Sequence, residues 1–162
     1  MTVLALPVAA LLVCMLARRR RTWRTALADV GLVYGTVPWV WMTLLPGSRA
    51  GVAPARVSLV PLHDLVTMPA PEIVGNLLVF AAVGFLAPLR FAALASVPRI
   101  LALAGSCSIL IEVSQYAFQL DRVTSVDDVL LNTAGAGLAA VASRRWWLVR
   151  TEEPEAAQSV RN

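Results

Sequence analysis

Asn76, Glu112, Gln115, Asp128 and Asn132 all stand inside otherwise apolar segments. A charged side chain at the centre of a membrane-spanning helix costs roughly 2.5–3.5 kcal/mol, so such residues normally face a protein interior or a wet cavity. Their spacing is helical. Ser108, Glu112, Gln115 and Gln119 follow one another at intervals of four, three and four, which places them on one face of an α-helix. Asp128, Asn132, Gly135 and Ala139 form a second stripe, and Glu72 with Asn76 a shorter third. The expectation is that the three stripes face one another around a polar pocket. Arg122, in the loop between the first and second of these stripes, is the expected counter-ion for Glu112 or Asp128. Asp127 suits a helix amino terminus, where acids are favoured, and is grouped with the same polar cluster.

Three kinds of chemistry fit this set. The carboxylates and amides can hold a ligand by charge complementarity and hydrogen bonds. Glu112 can serve as a general acid or base in a membrane-embedded enzyme. The polar groups can instead be interhelical glue, at about 0.6 kcal/mol per hydrogen bond, in a helper subunit of a membrane complex. Other chemistry lacks support. His63-Asp64 has no second metal ligand at a defined spacing, so no metal is expected. P-loop, G-x-S-x-G and H-E-x-x-H motifs do not occur, and no cofactor is expected. Cys14 and Cys107 lie in apolar runs without C-x-x-C spacing and read as inert. Polar residues confined to one side, without an inverted repeat, argue against a transporter.

The elements that must position these residues are apolar stretches. The chain has 162 residues, of which 58% are hydrophobic and 15% charged, and its mean hydropathy is +0.70. This composition points to an integral membrane protein. Five stretches stand out: Val3–Ala17, Ala26–Leu45, Ile73–Leu89, Ile100–Phe118 and Val126–Ala142. A bilayer core of about 30 Å needs about 20 residues per helix, so the first, short stretch is the weakest span. It is followed rather than preceded by Arg18–Arg21, the reverse of a signal peptide. The fold expected is an all-α polytopic membrane protein with about five transmembrane helices. Residues 1–25 would form an N-terminal anchor and basic loop, 26–143 the helical membrane domain, and 144–162 a disordered cytoplasmic tail.

All fourteen basic residues are arginine and the net charge is +4. They sit beside apolar segments, so they read as topology signals and not as a nucleic-acid surface. Placing Arg18–Arg24 in the cytoplasm puts eleven arginines inside, leaving Arg49, Arg56 and Arg122 outside. The N-terminus is then outside, the C-terminus cytoplasmic, and the polar stripes fall in the outer half of the bilayer. Trp39 and Trp41, and Trp146 and Trp147, are expected in aromatic belts. The proline-rich segment Pro46–Pro71 is an outer loop in which a regular helix is not expected.

In order along the chain, these residues resemble the VanZ-like family of bacterial membrane proteins. The likeness is carried by Asn76-Leu77-Leu78-Val79-Phe80, Gly84-Phe85, Glu112-Val113-Ser114-Gln115, Arg122, and Asp127-Asp128-Val129-Leu130-Leu131-Asn132-Thr133-Ala134-Gly135. Thr43-Leu44-Leu45-Pro46 and Leu59-Val60-Pro61-Leu62 extend it upstream, so that it covers roughly residues 30–143. Ala82 departs from a proline common in the family, and Ser58 from an asparagine. The resemblance implies a multi-pass protein of the bacterial plasma membrane. It also implies an effect on the cell envelope or on susceptibility to teicoplanin-type glycopeptides. The expected partners are the lipid bilayer, a lipid-linked wall precursor or glycopeptide, and a further membrane protein.

Overall fold

Proline and serine set the helix starts. Pro71 occupies the first turn of the helix Ala70–Val79, and Ser96 and Pro98 open the helix Val97–Ala117; proline's fixed φ and missing N–H cost nothing at those positions. The computed structural model describes residues 11–18, 23–52, 54 and 56–159, with side chains through residue 147. Among them, residues 11–18 are helical (α1), followed by α2 (Trp23–Thr43), β1 (Arg56–Ser58), α3 (Ala70–Val79) and α4 (Ala81–Arg90). A three-residue 3-10 turn, Ala92–Leu94, leads to α5 (Val97–Ala117), β2 (Val123–Ser125) and α6 (Val126–Ser159). The expected first span, Val3–Ala17, lies largely outside the described residues.

The protein is mostly helical, and two helical stretches, Ala70–Arg90 and Val97–Ala117, are long and apolar enough to cross a membrane. The first of these is interrupted. Phe80 leaves helical geometry at φ −115° and ψ 13°, dividing the expected continuous third span into α3 and α4. No proline stands at this break.

α6 packs against both halves of the broken helix, and glycine sets how closely. A Cβ on Gly135 would lie 1.9 Å from the Leu77 carbonyl oxygen, and one on Gly84 would lie 2.0 Å from that of Ala136. Each glycine therefore meets the backbone of the opposing helix directly. α2 approaches α4 in a similar way, with Gly31 and Gly35 against Leu86 and Ala82. This is a small-xxx-small seam of the kind that replaces hydrophobic driving force inside a bilayer. Val79, Phe80, Ile100, Ala104, Ile111, Ala136 and Ala140 form the apolar core between these helices. At the other end, the Arg90 Nε donates to Asp29 Oδ1 at 2.5 Å, joining α4 to α2.

The distribution of polarity is inverted relative to a protein dissolved in water. Ser108, Glu112, Gln115, Asn132 and Ser143 are buried, while Leu110, Val113, Leu138 and Val141 are exposed. This is compatible with a membrane protein.

Three features depart from the sequence reading. β1 and β2 form a two-stranded parallel sheet pairing Arg56 with Val123, Val57 with Thr124 and Ser58 with Ser125. It clips the proline-rich loop to the turn before α6, so the described fold is not purely α. The backbone of α6 stays helical through Ser159, where an irregular tail from residue 144 was expected. Each tryptophan pair splits: Trp41 and Trp146 are exposed, while Trp39 is half-buried and Trp147 buried with its indole donating to the Ala140 carbonyl. Neighbouring helical residues point about 100° apart, so one member of each pair turns inward.

Gly84→Val and Gly135→Val should each destabilise the protein by about 1–3 kcal/mol or more, because overpacking meets backbone that cannot yield. Gly75→Ala, with nothing within 4 Å of the added Cβ, should be tolerated. Thermal unfolding of the detergent-extracted variants, followed by size-exclusion fluorescence, checks both expectations.

Candidate functional site

The amino end of α6 organises the polar residues. Ser125 and Asp127 form its cap, with the Asp127 N–H donating to the Ser125 hydroxyl at 3.2 Å. The Asp127 side chain points away from the helix into the proline-rich loop. Its Oδ1 accepts from the Leu62 N–H at 2.5 Å, and its Oδ2 from those of Asp64 and Leu65 at 2.9 and 3.0 Å. Leu62 takes a positive φ of 65°, which turns the loop toward this carboxylate. Asp127 is thus an anchor for the loop. The expectation that it belongs to the pocket is corrected: it is 1% exposed and takes no part in the cavity wall.

Asp64 completes the clasp. Its Oδ2 accepts from the Ser125 hydroxyl at 2.7 Å, and its Oδ1 lies 3.1 Å from His63 Nδ1. Hydrogen bonding from Ser58, then Ser125 and His63, holds the Asp64 carboxyl at about 2, well below the usual carboxylate range. The residue that sequence reasoning considered only as a weak metal ligand is instead a fastening between loop and helix. Among the described residues no group of three or more metal-ligating side chains occurs.

On the other face of α6, one turn of helix brings Asp128 and Asn132 into a cavity of about 630 Å³. Asn76 and Glu72 enter it from α3, Glu112 and Gln115 from α5, and Trp39, Met42 and Thr43 from the carboxyl end of α2. Met68 and Pro69 add apolar side chains from the loop, and Pro71 another from the first turn of α3. The three expected stripes therefore do converge. The stripe on α5 is shorter than expected: Gln119 lies beyond the helix with φ 48° and is exposed.

Most polar side chains in the wall have a defined hold. Asn76 Nδ2 donates to Asp128 Oδ1 at 2.5 Å, and Asn132 Nδ2 to the Ser108 hydroxyl at 2.7 Å. Glu112 Oε2 accepts from the Ser125 N–H at 2.9 Å, tying α5 to β2. Gln115 Nε2 donates to the Thr43 carbonyl at 2.9 Å, and the Arg122 guanidinium to the Met42 carbonyl at 3.3 Å. Both thereby meet carbonyls at the end of α2, of which that of Met42 also accepts from the Leu45 N–H at 3.4 Å. Arg122 lines the cavity, but among the described residues it makes no ion pair with Glu112 or Asp128, contrary to expectation. A helix terminus, not a carboxylate, is its partner.

Sequence reasoning did not place Trp39, Thr43 or Asp121 at the site. Asp121 accepts from the Arg49 N–H at 3.1 Å and pairs with its guanidinium at 3.7 Å. It sits in an irregular turn with positive φ, where helical periodicity gives no signal.

Asp64→Asn should loosen the loop, raising amide exchange and protease sensitivity around residues 59–67. Because the folded Asp64 pKa lies below its ordinary value of 3.8, its contribution is fully present above that value. It is lost as pH falls through about 2. Hydrogen exchange of wild type across the acid range should show loop opening that Asp64→Asn no longer shows as a pH-dependent step.

A family model described as VanZ/LLP1 matches residues 32–148. No curated protein and no solved structure matches the chain.

Proposed function

Because the chain belongs to the VanZ/LLP1 family, we propose that it is a multi-pass protein of the bacterial plasma membrane that holds an amphiphilic ligand. The ligand would be a cell-envelope lipid or lipid-linked wall precursor, taken from the outer leaflet. The observation that carries this reading is the cavity itself. Its wall combines polar side chains, Asn76, Glu112, Gln115, Asp128 and Asn132, with apolar ones, Trp39, Met42, Met68, Val79 and Ile111. A site of that make-up suits a molecule with a polar head and an apolar tail.

The orientation follows from arginine placement. With five spans, the N-terminus outside and most arginines in the cytoplasm, the cavity opens at the outer surface. Inverted polarity supports the bilayer as surroundings, with the exposed Leu110, Val113, Leu138 and Val141 facing lipid. Binding is better supported than catalysis at Glu112, because one of its carboxylate oxygens is engaged by a backbone N–H.

An outer-leaflet role in the envelope should register as altered susceptibility to teicoplanin-type glycopeptides. In a sensitive host, expression of wild type should change the inhibitory concentration. Glu112→Gln and Asp128→Asn, at matched membrane levels, should return it toward the empty-vector value. Equal effects of wild type and both variants would defeat the proposal. Val66→Cys, at a position 86% exposed in the outer loop, should react with a membrane-impermeant maleimide in intact cells. Protection there would reverse the orientation.

A further inference from the structure

The cavity's hydrogen-bonding inventory is lopsided. Gln115 faces a carbonyl and Asn76 a carboxylate, partners that only accept, so both must present their amide nitrogens to protein. Asn132 Nδ2 donates to the Ser108 hydroxyl. Each of these amides keeps one further N–H, while Glu112, Asp128 and Asn132 each keep a side-chain oxygen beyond the bonds described. Asn132 Oδ1 makes this sharpest: the residue is 2% exposed, lines the cavity, and this oxygen has no partner. A buried unpaired acceptor costs about 1–3 kcal/mol, and a ligand donor would relieve that cost.

Charge points the same way. Asp64, Glu72, Glu112, Asp121 and Asp128 line the cavity against a single cation, Arg122. That guanidinium is turned toward the Met42 carbonyl, and Asp121 is already paired with Arg49. An anionic head group would meet repulsion from these carboxylates. A primary ammonium carries one positive charge and three donors, with no acceptor to satisfy. It complements the wall on both counts.

Resting on the amphiphile-binding reading above, we infer that the head group held in this cavity is a primary ammonium, received by Asp128, Glu112 and the free oxygen of Asn132. Two sources share that chemistry: an aminophospholipid in the same leaflet, and a free amine on a molecule arriving from outside. Met42, Met68 and Pro69 in the same wall offer apolar contact to the attached chain.

The test uses the full-length protein in phosphatidylcholine nanodiscs. Trp39 in the wall serves as reporter, its signal isolated by subtracting a Trp39→Phe variant. Dodecylamine should change this fluorescence saturably, and dodecyl phosphate should not. Asn132→Leu should weaken dodecylamine binding at least tenfold. Asn132→Asp, which keeps an acceptor at the same place, should retain it and show that loss in the leucine variant is not misfolding. Competition by phosphatidylethanolamine built into the disc would assign the leaflet source, and competition by soluble acetyl-lysine amide the external one; either supports the ammonium site. Saturable binding of dodecyl phosphate with equal or higher affinity would overturn the ammonium inference while leaving an amphiphile pocket standing. No saturable change with any probe would overturn both.

Discussion

Three backbone N–H groups of the loop after β1 converge on the single carboxylate of Asp127, while the next residue, Asp128, turns to Asn76 on the opposite side of the helix. Polar groups withdrawn from water must find partners or pay for desolvation. Here one helix end supplies them in two directions, because successive residues diverge by about 100°. One direction fastens the proline-rich loop, and the other builds the cavity. Ser125 joins the two, since its hydroxyl meets Asp64 and its N–H meets Glu112. The position of α6 is in turn fixed by Gly84 and Gly135, which let it touch the backbone of the broken helix α3–α4. Moving α6 outward would open the cavity and release the loop together.

This arrangement separates structural polar groups from available ones. Asp127, Gln115 and Arg122 serve loop and helix ends. Asn132 and the cavity carboxylates keep acceptors in reserve.

Much of the polar cluster was legible in the sequence, for a simple reason. Glu112 and Gln115, and Asp128 and Asn132, sit on regular helices, where spacing alone assigns a face. Their neighbours were hidden because they depend on long-range pairing. The parallel strands bring residues 56–58 to 123–125, and nothing local in either triplet announces it. Arg122 could be located near the acids but not assigned a partner, since an open helix terminus attracts a guanidinium as a carboxylate does. The break at Phe80 was also silent, lacking proline or glycine at the point where the helix yields. Asp127 and Asp128 look equivalent in sequence, and only the loop returning over α6 distinguishes them.

The most direct measurement is native mass spectrometry of the protein released from its own membranes in mild detergent. Wild type should carry a bound amphiphile of defined mass at close to one per chain. Asp128→Asn combined with Asn132→Leu should lose that species while remaining folded. An unliganded wild type, or the same bound mass on wild type and variant alike, would contradict a ligand-holding cavity.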